Sequence, residues 1–384
     1  MSKKQPVACP VRKTSIGGQA LMEGIMMRGP QTTAMAVRNP QGEIVLEKFP
    51  TEGKKRPAIC RWPIIRGVFG FIDSMSLGYK CLMRSAEISG LEEIEAEMER
   101  EKAEKKAAKA AAKKAAKAAK QNGTPAPAEP LSVESVIEPS DVPAVPAAAE
   151  AVASEAAPIE TPKEGKEKKE SSLLTTLVMV ISMVFAFAIA IGLFMVLPAW
   201  LYDDVLARFI PWVDGENRFA QSVFEGCMRV VLLIGYMSLM LLMKDVRRTF
   251  QFHGAEHKTI FCYEHGKELT VENIRKERRF HPRCGTSFLI LMMLVSIVVG
   301  FFIPADLPTI LRVLCKIAVF PLIMGLGFEL IKFCGRHDNW LTRIIAAPGL
   351  WFQRITVLEP DDSMIECAIA AMKEAIPADE SDAW

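Results

Sequence analysis

Residues 173–197 read LLTTLVMVISMVFAFAIAIGLFMVL, a run of 25 residues without one charged side chain. As a helix rising about 1.5 Å per residue it outreaches the roughly 30 Å hydrocarbon core of a bilayer, with room for tilt. A helix apolar on every side needs lipid or a large core around it, and this run places the chain in a membrane. Further apolar stretches follow at about 227–243, 288–303 and 310–333. The fold class expected is therefore mainly α: a helical integral membrane protein with about four spans and a small mixed α/β cytoplasmic portion. The third stretch is short, and Arg229, Arg312, Lys316 and Glu329 in the second and fourth are read as reaching back to the membrane edge.

Lysine and arginine placement sets the orientation. Segment 244–287 carries ten basic residues, whereas 201–226 carries only Arg208 and Arg218 against Asp203, Asp204, Asp214, Glu216 and Glu225. The basic loop belongs inside, and with four spans both termini are then cytoplasmic. Lys163, Lys166, Lys168 and Lys169 before the first span, and Lys332, Arg336 and Arg343 after the last, agree with this. A bacterial inner membrane is the expected location. Behind Lys3 and Lys4 there is no apolar segment of the kind a cleavable signal peptide carries.

The nine cysteines are scattered and odd in number, as in a reducing compartment rather than a disulfide framework. A formal net charge of +2 gives no global field toward nucleic acid, so the bilayer and an unknown protein partner or substrate are the expected contacts.

Four regions result. Residues 1–90 form a cytoplasmic or interfacial part with a glycine-rich motif, and two short apolar runs around Asn39-Pro40-Gln41-Gly42 signal a β-hairpin. Within it, 62–83 suits a helix lying on the membrane or packed on others. Residues 91–170 begin as an Ala/Glu/Lys helix and turn into a Pro/Ala/Glu/Ser linker without an aromatic residue, too polar to offset its ordering entropy. Residues 171–358 hold the spans, with 244–287 as a cytoplasmic loop and 340–354 as a membrane-surface segment. Residues 359–384 contain a helix whose Ile365, Ala368, Ile369, Met372 and Ile376 share one side and need a surface to cover.

Four of the five histidines lie between Gln251 and Gly285. His253, Glu256 and His257 are spaced i, i+3, i+4 and project from one helical face, although Gly254 weakens that helix. H-x-x-E-H is the inverted zinc-peptidase spacing, in which the acid acts as general base. His281 and Cys284, in FHPRCG, can complete a tetrahedron of three nitrogens and one sulfur, for which zinc is the natural occupant. Cys262 and His265 are alternates. A second acid, Glu23, sits with Arg28 in the methionine-rich stretch IGGQALMEGIMMRGP, where apolar surroundings favour a raised pKa and acid–base work, or an ion pair with Arg28 or the membrane-proximal loop.

Through GGQALMEGIMMRGP, FHGAEHKTIFCYEHG, FHPRCGTSFL and QRITVLEPDDSMIECAIAAMKEA, the chain resembles the YqhQ-like family of bacterial multi-pass membrane proteins. The resemblance implies a membrane location and, in some descriptions of the family, a metal-dependent enzyme, with no catalytic residue to carry over. The insert at about 91–170 departs from the family pattern without interrupting a motif. The site expected is His253, His257, His281 and Cys284 on zinc or another divalent metal, with Glu256 as base and Glu23 as a second acid. The expected function is a metal-dependent enzyme, a hydrolase, at the cytoplasmic membrane face. The alternative is a non-catalytic scaffold with a structural metal or none.

Overall fold

The computed structural model describes residues 13–51, 57–90, 169–206, 217–337, 339–379 and 381–383. The charged helix and linker expected over 91–170 fall outside the described residues except for the last two positions. The chain divides into two compact units, Met1–Glu95 with Ala186–Trp384, and Ala96–Phe185; of the second, residues 169–185 are described and are helical.

Four strands open the chain: β1 (Gly17–Leu21), β2 (Gly24–Arg28), β3 (Thr32–Arg38) and β4 (Ile44–Pro50), paired antiparallel in sequence order. The β3–β4 connection falls at Asn39–Glu43, where the Asn39 side chain accepts from the Glu43 N–H at 2.8 Å and fixes the register Arg38↔Ile44. Both faces of the sheet are covered, and the strand period of two assigns the residues. Ile25, Met27 and Ala36 face one way, toward Phe252, Ala255, Met364 and Met372. Leu21, Met26, Met35 and Val37 face the other, toward Leu77, Cys81 and Leu82. The second group lies on helix α1 (Ile65–Ile88), so 62–83 packs in part on the sheet.

α2 (Lys169–Ile191) continues through wide turns to Leu206. α3 (Arg218–Met240) leads into α4 (Lys244–Glu264) and the short α5 (Val271–Arg275). α6 (Gly285–Gly300), α7 (Thr309–Arg336), α8 (Trp340–Thr356) and α9 (Asp362–Ala375) complete the chain. Among the described residues, three helices are long and apolar enough to cross a membrane: Val180–Leu206, α3 and α7. The third expected span is α6, whose 16 residues make about 24 Å, less than a bilayer's apolar thickness. α3 begins nine residues before the expected start at 227, because the polar side chains of Gln221 and Glu225 are buried among partners rather than ending the helix.

The C-terminal stripe finds its surface in the protein itself. Met364, Ile365, Ala368 and Met372 are fully buried against the sheet and α4, each large side chain contributing about 1.5–3 kcal/mol. α8 buries Phe352 and Gln353 while leaving Trp340, Ile344 and Trp351 exposed, an apolar face suited to a membrane surface. Contrary to the expectation from sequence, Arg312, Lys316 and Arg229 do not reach for the membrane edge. All three are drawn inward by carboxylates: Arg312 pairs with Asp203, and Lys316 and Arg229 both pair with Glu225. Glu329 is held by Arg66 of α1.

Candidate metal centre

α4 carries His253 and His257 one turn apart, and the turn 276–284 and the end of α8 close over them. Gly254 is what lets the chain come this near: a Cβ there would run into the Leu358 carbonyl and sit 3.3 Å from Pro360 Cδ. The residue that looks like a helix weakness is thus the contact point between α4 and the segment that follows α8, which Leu358 N–H clamps by donating to the Phe250 carbonyl at 2.9 Å.

Each histidine has its tautomer set by a backbone carbonyl. His253 Nδ1 lies 3.0 Å from the carbonyl of Thr356, the last residue of α8, whose oxygen has no partner within its own helix. His257 Nδ1 lies 2.5 Å from the Arg279 carbonyl. A carbonyl only accepts, so both Nδ1 atoms carry a proton and it is the Nε2 atoms that can ligate a metal, His253 giving up the proton it shares with Cys284 when it does so. These two nitrogens converge on Cys284 Sγ, which is 3.0 Å from His253 Nε2; the three atoms lie within 4.8 Å of one another. Cys284 caps the N-terminus of α6, accepting from Thr286 N–H at 3.4 Å, where the helix dipole favours a thiolate.

Without a metal, the electrostatics are those of a thiolate–imidazolium pair. Burial alone would raise the Cys284 thiol, yet His253 and His257 beside it hold it well below its ordinary value of 9.0. Burial alone would lower His253, but the Cys284 sulfur and Glu256 bring it up to about 9. Glu256 is pushed up by burial. Four buried side-chain polar atoms among the described residues lack a hydrogen-bond partner, and three are here: His257 Nε2, Glu256 Oε2 and Thr356 Oγ1. Orphaned acceptors around two imidazoles and a thiolate are what a divalent cation satisfies, and the donor set suits zinc. The residues present fit the metal.

His281 does not join this group. It is buried, and its Nε2 faces Glu264 Oε2 at 3.6 Å, while Glu264 is also bound by Arg283 and by Thr14 N–H at 2.9 Å. Burial lowers the His281 imidazole, with Glu264 opposing. Glu264 is held below its usual range, burial being outweighed by His281 and Arg283. The physical reason is the turn: Pro282 and the Gln353 side chain, which accepts from His281 N–H at 2.8 Å and donates to its carbonyl at 2.7 Å, fix the backbone so that the ring lies toward Glu264. Three protein donors, not four, meet at one point.

Glu23 is placed elsewhere. It occupies the two-residue turn between β1 and β2 with φ +50° and makes a two-pronged ion pair with Arg248 of α4, at 2.5 and 2.6 Å, outside the cavity beside the cluster. Of the alternates, Cys262 is buried with Sγ 3.4 Å from the Glu268 carbonyl and His265 pairs with Glu277 at 2.9 Å. The cavity measures about 140 Å³ and is lined by Thr14–Gly18, Glu256, His257, Ile260, His281 and Arg283–Gly285. Gly18 packs closely there, since a Cβ would lie 2.8 Å from Glu256 Cγ. The glycine-rich motif already pointed to close approach at Gly18, whereas Gln353, Thr356 and Arg279 were not singled out by the sequence, for their roles are backbone bonds. The motifs GGQALMEG and QRITVLEP contain three of them.

A membrane-associated helical protein whose buried His–His–Cys cluster bridges an amphipathic helix, a turn and a helix end is the class these observations define. The chain belongs to the family described as "Protein of unknown function (DUF1385)", whose profile matches residues 62–129 and 130–378. It is similar to "Uncharacterized protein YqhQ" of Bacillus subtilis (strain 168), with 28% identity over 362 residues, 94% of this chain and 92% of that one. No solved structure matches it.

Proposed function

We propose that the protein is a metal-dependent enzyme of the bacterial inner membrane, working at the cytoplasmic face, with a zinc-class ion held by His253, His257 and Cys284. The observation that carries this reading is the pair of Nδ1-to-carbonyl bonds that turns both Nε2 lone pairs onto one thiolate. Three protein ligands leave one coordination position for water or substrate, the arrangement of catalytic rather than structural zinc. When bound, such an ion supplies a more acidic water and polarises a carbonyl or phosphoryl oxygen. Glu256 is the proton acceptor: it lines the cavity, its Oε2 is unpaired, and burial raises its affinity for a proton. Gly18 N–H holds the carboxyl in place. Arg283 is held in the cavity wall by Glu264 and by the Thr14 carbonyl at 2.6 Å, and presents positive charge to a polar substrate group. Hydrolysis is the reaction class these groups suit.

The supporting topology has four spans, α6 serving as the short third with the membrane thinned or the helix ends reaching beyond it, and both termini cytoplasmic. The regions 1–90, 91–170, 171–358 and 359–384 then act as sheet-bearing part, insert, spans with the histidine loop, and closing helix.

Metal content by mass spectrometry tests the reading, on detergent-purified wild type and on the His253→Ala/His257→Ala variant, both kept from chelators and nickel. About one ion per chain in the wild type, lost in the variant, is expected; no ion in well-folded wild type overturns it. A second reading, a scaffold with a structural ion, draws on the burial of Cys284 and His257 and on the way the cluster ties α4 to α6. Glu256→Gln separates the two: retained metal with lost turnover points to the enzyme, and unchanged cellular function to the scaffold.

A further inference from the structure

A second cluster of charges lies inside the apolar helices, separate from the metal centre. Glu225 of α3 has a side chain only 1% exposed and is bonded by Arg229 (2.7 Å) and by Lys316 of α7. Arg229 and Lys316 are each 13% exposed. Arg229 also donates through Nε to the Phe194 carbonyl at 2.9 Å. That oxygen is available because Pro198, four residues on, has no N–H with which to close the helical turn. The neighbouring Arg312–Asp203 pair is neutral by itself, with the amide oxygen of Gln221 turned toward Arg312 at 3.1 Å. Among the described residues one carboxylate thus faces two cations, and an excess positive charge among apolar helices is strongly disfavoured unless an anion completes it.

The two cations mark where that anion belongs. Both line a cavity of about 230 Å³ whose other walls are almost wholly apolar, including Leu289, Met292, Val319 and Phe320. Lys316 lies seven residues into α7 from Thr309, or about 10 Å along its axis, and Arg229 lies eleven residues into α3 from Arg218, or about 16 Å, so neither is at a helix end. A small hydrated anion gains nothing from such walls, whereas a molecule with an anionic head and an alkyl chain matches both ends of the cavity. We propose that this cavity binds an anionic membrane amphiphile, its head between Arg229 and Lys316 and its chain along α6 and α7. The proposal rests on the membrane location and not on the metal site.

The test uses full-length protein in nanodiscs of phosphatidylcholine, with dodecyl phosphate as the probe and thermal midpoint and native mass spectrometry as readouts. The wild type is expected to retain one probe molecule and to unfold several degrees higher. Lys316→Met removes the excess charge while keeping the Glu225–Arg229 pair. It should fold at least as well without probe and bind it at least tenfold more weakly. Met292→Trp fills the cavity, leaves the charges in place, and should also abolish retention. Equal retention by wild type and Lys316→Met, or stabilisation by inorganic phosphate as large as by dodecyl phosphate, overturns the assignment.

Discussion

His253 Nε2 and Cys284 Sγ lie 3.0 Å apart although 31 residues separate them in the chain. Their partners, the Thr356 carbonyl and the N-terminus of α6, fix which atom carries charge, and the consequence is visible in titration. For His253 the folded value of about 9 exceeds the usual 6.5, so its stabilisation is complete below pH 6.5 and declines as pH rises to about 9. For Cys284 the folded value is depressed below 9.0, so its stabilisation is present above pH 9 and is lost as pH falls toward the depressed value. Where these windows overlap the two trends oppose each other, so metal-free wild type should show a weak dependence on pH there and a loss of up to about 1.4 kcal/mol per pH unit as the thiolate is protonated in acid. Thermal midpoints of chelator-treated wild type, read against Cys284→Ala, check this, and thiolate absorbance at pH 7 that disappears in Cys284→Ala gives a second readout.

Gly18→Ala should act on the base and not on the ligands. The added Cβ lies 2.8 Å from Glu256 Cγ and 2.9 Å from the Met26 carbonyl, so the carboxyl must move. A destabilisation of about 1–3 kcal/mol with metal content unchanged and turnover reduced is expected. Lost metal would show that Glu256 is itself a ligand.

Gln353 is wholly buried and makes three bonds, two to the backbone of His281 and one to Ser287 Oγ at 2.7 Å. Gln353→Leu leaves the His281 N–H and carbonyl unpaired, at roughly 1–3 kcal/mol for each group. The thermal midpoint should fall markedly and metal affinity with it, because Cys284 sits three residues beyond the clamped backbone.

Glu23→Gln should be mild. The Glu23 and Arg248 side chains are 28% and 43% exposed, and an ion pair so wetted contributes about 1 kcal/mol or less. Unchanged metal content and near-normal turnover are expected; loss of turnover would restore Glu23 as an acid–base residue.

The four-span topology is checked by cysteine substitution. Asp306→Cys, between α6 and α7, should react with a membrane-impermeant thiol reagent from outside intact cells, and Lys267→Cys only after permeabilisation. Protection of position 306 would show that α6 does not cross.

The sequence by itself determined the elements whose signals are local. An uncharged run of 25 residues needs no neighbours to declare itself a membrane helix, the i, i+3, i+4 spacing put His253, Glu256 and His257 on one face, and the stripe from Ile365 to Met372 announced a covered side. Only the tertiary structure decided which donors meet. Sequence spacing offered His281 and Cys284 equally, yet the Gln353 clamp and the Glu264–Arg283 pair take His281 aside and leave Cys284 facing the two histidines. It also turned Gly254 from a helix weakness into a contact with Leu358, and Lys316 from a side chain reaching outward into a partner of Glu225. The reason is common to all of these: burial makes a polar group seek whichever partner the fold brings within about 3 Å, and that partner is tens to hundreds of residues away in the chain, where no local pattern reports it.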